Sequence, residues 1–99
     1  MLDEVHHVAI QVRCIGDSMK WYKESFNCEI EYQDDSWALI KFNNMYLALV
    51  LAEQHPYHFA IVQEGIDRYG EPIPHRDGTR SVYIKDPDGN NVEMLELAT

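Results

Sequence analysis

Residues 5–12 alternate: Val8, Ile10 and Val12 point one way, His7, Ala9 and Gln11 the other. A period of two predicts a strand with one strongly apolar face. The period then lengthens. Ile15, Met19, Tyr22 and Phe26 recur at helical spacing and predict one short amphipathic helix. Asp17 and Ser18 are start chemistry for it, and Asn27, tolerant of the left-handed conformation, marks its end. Strands are predicted over 28–33, 37–42 and 45–51. Asp34-Asp35-Ser36 and Asn43-Asn44 are turns between them, suited to antiparallel hairpins.

The pattern restarts after Gln54-His55-Pro56-Tyr57, with a strand over 58–62. Residues 63–70 have room for about two turns of helix, but Gly65 and Gly70 lie at the margins and glycine is a poor helix former, so a loop or single turn is expected. Pro72, Pro74 and Gly78 reduce 71–80 to an irregular edge strand. A strand over 81–85, a tight turn at Asp86-Pro87-Asp88-Gly89 and a last strand over 91–97 complete the chain.

The two halves repeat one another, a signal that governs the whole fold. His7-Val8-Ala9-Ile10 returns as His58-Phe59-Ala60-Ile61. Trp37-Ala38-Leu39-Ile40-Lys41 returns as Ser81-Val82-Tyr83-Ile84-Lys85, and Asn43-Asn44-Met45-Tyr46 as Asn90-Asn91-Val92-Glu93. The expected organisation is a single α+β domain over 1–99, built from module one (1–53) and module two (56–99). The second module is the first with its helix cut away. On this alignment Glu93 stands where the first copy has Tyr46.

Parity gives these residues chemical meaning. Glu93, Leu95 and Leu97 share one face of the last strand, so Glu93 heads an apolar row. A carboxylate on a buried face needs a cation or becomes protonated. His7 and His58 open matching strands, and two histidines with one carboxylate suit Zn, Mn, Ni, Co or Fe(II) with positions left open. The residues also admit a plainer reading, in which duplication alone preserves two polar residues near loops. His6 falls on the face that the helix should cover, Glu96 falls on the face opposite Glu93, and His55 and His75 are expected in solvated loops.

Composition narrows the partners. Eight Lys and Arg against seventeen Asp and Glu leave a formal charge of −9, a poor match for nucleic acid or an anionic membrane. Cys14 and Cys28 form no recognisable disulfide or metal motif and are expected as reduced thiols. The acidic start does not read as a signal peptide. The longest apolar stretch, over 45–52, is far short of the roughly 20 residues of a spanning helix. A cytoplasmic protein is expected.

The motifs together resemble the vicinal-oxygen-chelate superfamily, which includes glyoxalase I, extradiol dioxygenases, methylmalonyl-CoA epimerase and the fosfomycin- and bleomycin-resistance proteins. The residues that carry the likeness are His6-His7-Val8-Ala9-Ile10-Gln11-Val12, Trp21-Tyr22, Pro56-Tyr57-His58-Phe59-Ala60 and the run from Tyr83 through Asp86-Pro87-Asp88-Gly89-Asn90 to Glu93. The resemblance implies two β-α-β-β-β modules in a cupped mixed sheet around a divalent metal. It implies His7, His58 and Glu93 as the ligands, and a small substrate chelated through neighbouring oxygens. It also implies a homodimer with the site at or near the interface.

The fourth-ligand position of some members corresponds to about Tyr46, which makes this a three-ligand chain. Tyr46, Tyr83 and Gln11 are expected to contact substrate or a metal-bound oxygen. Ala9, at a position where the fosfomycin enzymes carry Thr, argues against that activity. The missing helix should uncover Phe59 and Ile61, which a partner subunit would then cover. Two other functions fit the resemblance: metal-free ligand sequestration, and an inactive shortened relative acting through oligomerisation.

Overall fold

A computed structural model describes residues 1–98. The described residues form eight strands and one α-helix. The chain divides into two compact units, one of His7–Tyr57 and one that joins Met1–His6 to the chain from His58 onward.

The first unit contains most of β1 (Glu4–Gln11), then α1 (Ile15–Ser25), β2 (Glu29–Gln33), β3 (Trp37–Lys41) and β4 (Tyr46–Val50). Its strands lie in the order β2-β3-β4-β1. β1 and β4 are parallel, and the hairpin pairs β2–β3 and β3–β4 are antiparallel. Parallel pairing of β1 with β4 requires a crossover, and α1 begins it. Ile15 and Met19 bury the helix stripe against Ala38, Ile40 and Leu49. Each such side chain contributes roughly 1.5–3 kcal/mol by leaving water. The other face of the sheet is also apolar at its centre, where Ala9, Ala48 and Val50 pack with Trp37 and Leu39.

The helix ends differ from expectation. α1 starts two residues before Asp17, with Cys14 extended at the N-cap and no side-chain cap. Asp17 instead lies in the first turn, where its charge favours the positive end of the helix. The helix stops because Phe26 turns extended (φ −136°, ψ 156°), and Asn27 takes no left-handed conformation.

The second unit contains β5 (His58–Val62), a 3-10 turn (Ile66–Tyr69), β6 (Ile73–Pro74), β7 (Arg80–Lys85) and β8 (Asn91–Glu96). The order β5-β8-β7-β6 repeats that of the first unit, with β5 and β8 parallel and the other pairs antiparallel. The expected single turn is present in place of a helix, and it does more than close a loop. Ile66 is 0% exposed and packs with Val82 and Met94. Ile61 joins that cluster, so it keeps a cover that the missing helix was expected to remove. Phe59 does not join it and stays 37% exposed.

Polar contacts pin the turn. Arg80 Nε and Nη2 donate to Glu96 Oε1 at 3.0 and 2.6 Å, and Nη2 also donates to Asp67 Oδ1 at 3.2 Å. Glu96 Oε2 accepts the Gly65 N–H at 3.2 Å. Gly65 is left-handed at φ +67°, which glycine adopts without a steric cost.

Candidate metal centre

β8 delivers Glu93 and β5 delivers His58. In the β5–β8 register His58 lies opposite Asn91 and Ala60 opposite Glu93, so all four point to one face of the sheet. Glu93 is 6% exposed and His58 8%. His58 Nε2 and Glu93 Oε1 are 3.2 Å apart. Parity holds for Glu93 and Leu95, both buried on that face, while Leu97, expected in the same row, is 44% exposed.

β7 brings Tyr83 directly opposite Glu93, and hence to the same face. Its ring meets His58 edge-on, with centroids 5.1 Å apart, and its hydroxyl is 3.4 Å from His58 Nε2. Burial, and then the charge of Glu93, raise the Tyr83 pKa well above the ordinary phenol value. The hydroxyl is therefore neutral at physiological pH and able to donate.

The turn before β8 aims that strand. Asp86 Oδ1 accepts the N–H groups of Asp88 and Asn90 at 2.9 and 2.8 Å, and Oδ2 accepts Asn90 Nδ2 at 2.8 Å. Gly89 at φ +83° closes the turn, its N–H donating to the Asp86 carbonyl at 3.0 Å.

In the first unit His7 lies opposite Tyr46 and shares its face with Ala9 and Gln11. Gln11 Nε2 donates to the His55 carbonyl at 3.0 Å. The registers correct the alignment of the two copies. Lys41 pairs with Tyr46 across residues 42–45, whereas Lys85 pairs with Asn91 across 86–90. The second turn is one residue longer, so Tyr46 matches Asn91. Leu39 pairs with Ala48 as Tyr83 pairs with Glu93, and Ala9 with Ala48 as Ala60 with Glu93. The residue equivalent to Glu93 is therefore Ala48, whose methyl group cannot ligate.

Within the second unit the His58 imidazole and the Glu93 carboxylate form a donor pair of the kind a divalent ion takes, while His7 lies in the first unit. The donor set fits such an ion. Metal–ligand bonds of about 2.0–2.2 Å place neighbouring donor atoms about 3 Å apart, close to the His58–Glu93 separation.

His75, expected in a solvated loop, is half-buried instead. His75 Nε2 is 2.7 Å from Ser81 Oγ and 3.9 Å from Glu93 Oε2. A turn places it there: His75 N–H donates to the Thr79 carbonyl at 2.8 Å, and Gly78 N–H to the His75 carbonyl at 3.1 Å. The available signal was Gly78 between His75 and Ser81, which lets the chain fold back on itself.

Solved structures share this fold. A hypothetical protein of Bacillus halodurans superposes with a TM-score of 0.80 at 18% identity, covering 100% of this chain and 97% of that one. Streptomyces coelicolor methylmalonyl-CoA epimerase, solved in complex with 2-nitronate-propionyl-CoA, gives 0.79 at 17% identity, with 100% of both chains covered. A glyoxalase/bleomycin resistance protein/dioxygenase superfamily member from Vibrio splendidus gives 0.68 at 11%, covering 96% and 99%. No protein-family model matches the sequence, and no curated protein matches it. The chain has the fold of these structures, as its motifs implied.

Proposed function

We propose that this protein is a metal-dependent enzyme that binds a small substrate through two neighbouring oxygens, with His7, His58 and Glu93 as the ligands. The observation that carries this is the buried Glu93 carboxylate, 3.2 Å from the buried His58 imidazole. A carboxylate so placed is costly without a compensating cation. A divalent ion (Zn, Mn, Ni, Co or Fe(II)) would act there as a Lewis acid on the substrate oxygens. Tyr83, neutral and on the Glu93 face, would donate a hydrogen bond to a substrate oxygen. Tyr46, opposite His7, would offer a second hydroxyl. The working form would be a cytoplasmic homodimer.

The test is metal content. The chain, purified without chelators, should carry one equivalent of metal or take it up on reconstitution. Glu93→Gln keeps the volume and loses the charge; His58→Ala loses the imidazole. Both should abolish stoichiometric binding while far-UV circular dichroism is unchanged. A parent that binds none of the five metals would overturn the reading.

A further inference from the structure

Glu93 has two oxygens, and the structure treats them differently. Oε1 faces His58 at 3.2 Å, while Oε2 lies 3.9 Å from His75 Nε2, beyond hydrogen-bond reach. His75 does not hang free in a loop. Its backbone closes a turn onto Thr79, and Asp77 Oδ1 takes both the N–H and the hydroxyl of Thr79, at 2.9 and 2.6 Å. Its ring is held by Ser81, which is 2% exposed. Ser81 and Tyr83 alternate along β7 on the Glu93 face, opposite Leu95 and Glu93. One strand therefore supplies both the hydroxyl that fixes His75 and the tyrosine that flanks His58.

We propose that His75, anchored by Ser81, is a positioning residue whose ring, placed beside Oε2 of Glu93, limits the turn of that carboxylate and so leaves Oε1 to face the metal site beside His58. A carboxylate can bind a metal through one oxygen or two, and a side chain fixed beside one oxygen restricts the rotation that selects between these modes. Partners of this kind typically alter metal affinity 10- to 100-fold. The His75 side chain is 34% exposed, so it is not a core histidine whose only task is to fill space. This inference rests on the metal reading above.

The experiment titrates the metal-free full-length chain with Co(II), following its visible absorption. The parent is compared with His75→Ala, His75→Gln and Ser81→Ala. His75→Ala should still bind one equivalent, about 10- to 100-fold more weakly, with a shifted band pattern. His75→Gln should regain most of the affinity, because its amide nitrogen can occupy the place of Nε2. Ser81→Ala should fall between them. Melting of the metal-free variants separates positioning from support. A lower Tm with parental Co(II) affinity and spectrum makes His75 merely structural and overturns the proposal. A loss of band intensity showing one nitrogen donor fewer makes it a ligand and also overturns it. If the parent binds Co(II) and His75→Ala binds identically, this inference alone fails. A parent that binds no metal removes the site reading, and this inference with it.

Discussion

Asp86 shows how much of the site rests on one exposed side chain. Its carboxylate gathers two backbone N–H groups and the Asn90 amide into the turn that launches β8. Its pKa is lowered, first by the Asn90 side chain, then by the Asn90 N–H, with slight burial opposing and the Asp88 N–H helping. A carboxylate whose folded pKa is depressed stabilises the fold above its unfolded value of about 3.9 and loses that contribution as pH falls through the folded value. Asp86→Ala should therefore melt lower than the parent at neutral pH, and the gap should narrow as pH falls below the ordinary carboxylate value of about 3.9. Thermal melts across that range check it; a gap of constant size would show that the charge is not what holds the turn. Residue-scale reading from sequence succeeded where a fixed period applied. Parity alone placed Glu93 on the buried face with Leu95. It failed where loop length intervened. The shared Asn-Asn pair invited an alignment of Tyr46 with Glu93, but register counts residues back from the hairpin, and the extra residue in 86–90 moves the true match to Ala48.

At the scale of elements, the 3-10 turn raises the question of how four residues replace a helix. Ile66 enters the cluster of Val82 and Met94 with no exposed surface, and Arg80 and Glu96 fasten the turn to β7 and β8. The turn needs little area because one fully inserted side chain covers the centre of a narrow sheet face. Ile66→Ala should then cost about 2–5 kcal/mol, the range for emptying a packed aliphatic site. Leu49→Ala, at the matching depth under α1, should cost a similar amount. Urea unfolding of both variants measures this. An Ile66→Ala change below about 1 kcal/mol, less than the usual cost of emptying such a site, would mean that the turn merely rests on the sheet. Apart from the edge strand expected over 71–80, which shrinks to Ile73–Pro74, the strands were legible to within a residue or so because alternation and turn residues bracket them. The absent helix was legible from Gly65 and Gly70. The contribution of Ile66 was not, since periodicity cannot register a lone inserted side chain. The start of α1 escaped for a related reason: packing of Ile15 under Ala38 and Ile40 begins the helix before any capping residue does.

On the scale of the whole molecule, exposed apolar surface and net charge act against each other. Phe59 lies outside the cluster under the 3-10 turn, and β2 is exposed along its whole length, with Ile30 and Tyr32 among its residues. Covering such side chains favours association by roughly 25 cal/mol per Å² of apolar area. Each chain, however, carries a formal charge of −9, so two copies repel. Salt at 0.15 M shortens the range of that repulsion to about 8 Å, and 1 M salt to about 3 Å. The proposed homodimer should therefore tighten as salt rises, the reverse of an assembly held by ion pairs. Light scattering after size exclusion, at micromolar chain and at low and high salt, should show the dimer fraction growing with salt. Phe59→Ser should weaken it at every salt concentration if the face left open by the shortened second module is the one that closes. A monomer at all salt concentrations would remove the dimer. A dimer that ignores Phe59→Ser would move the interface to another face and leave the metal reading untouched.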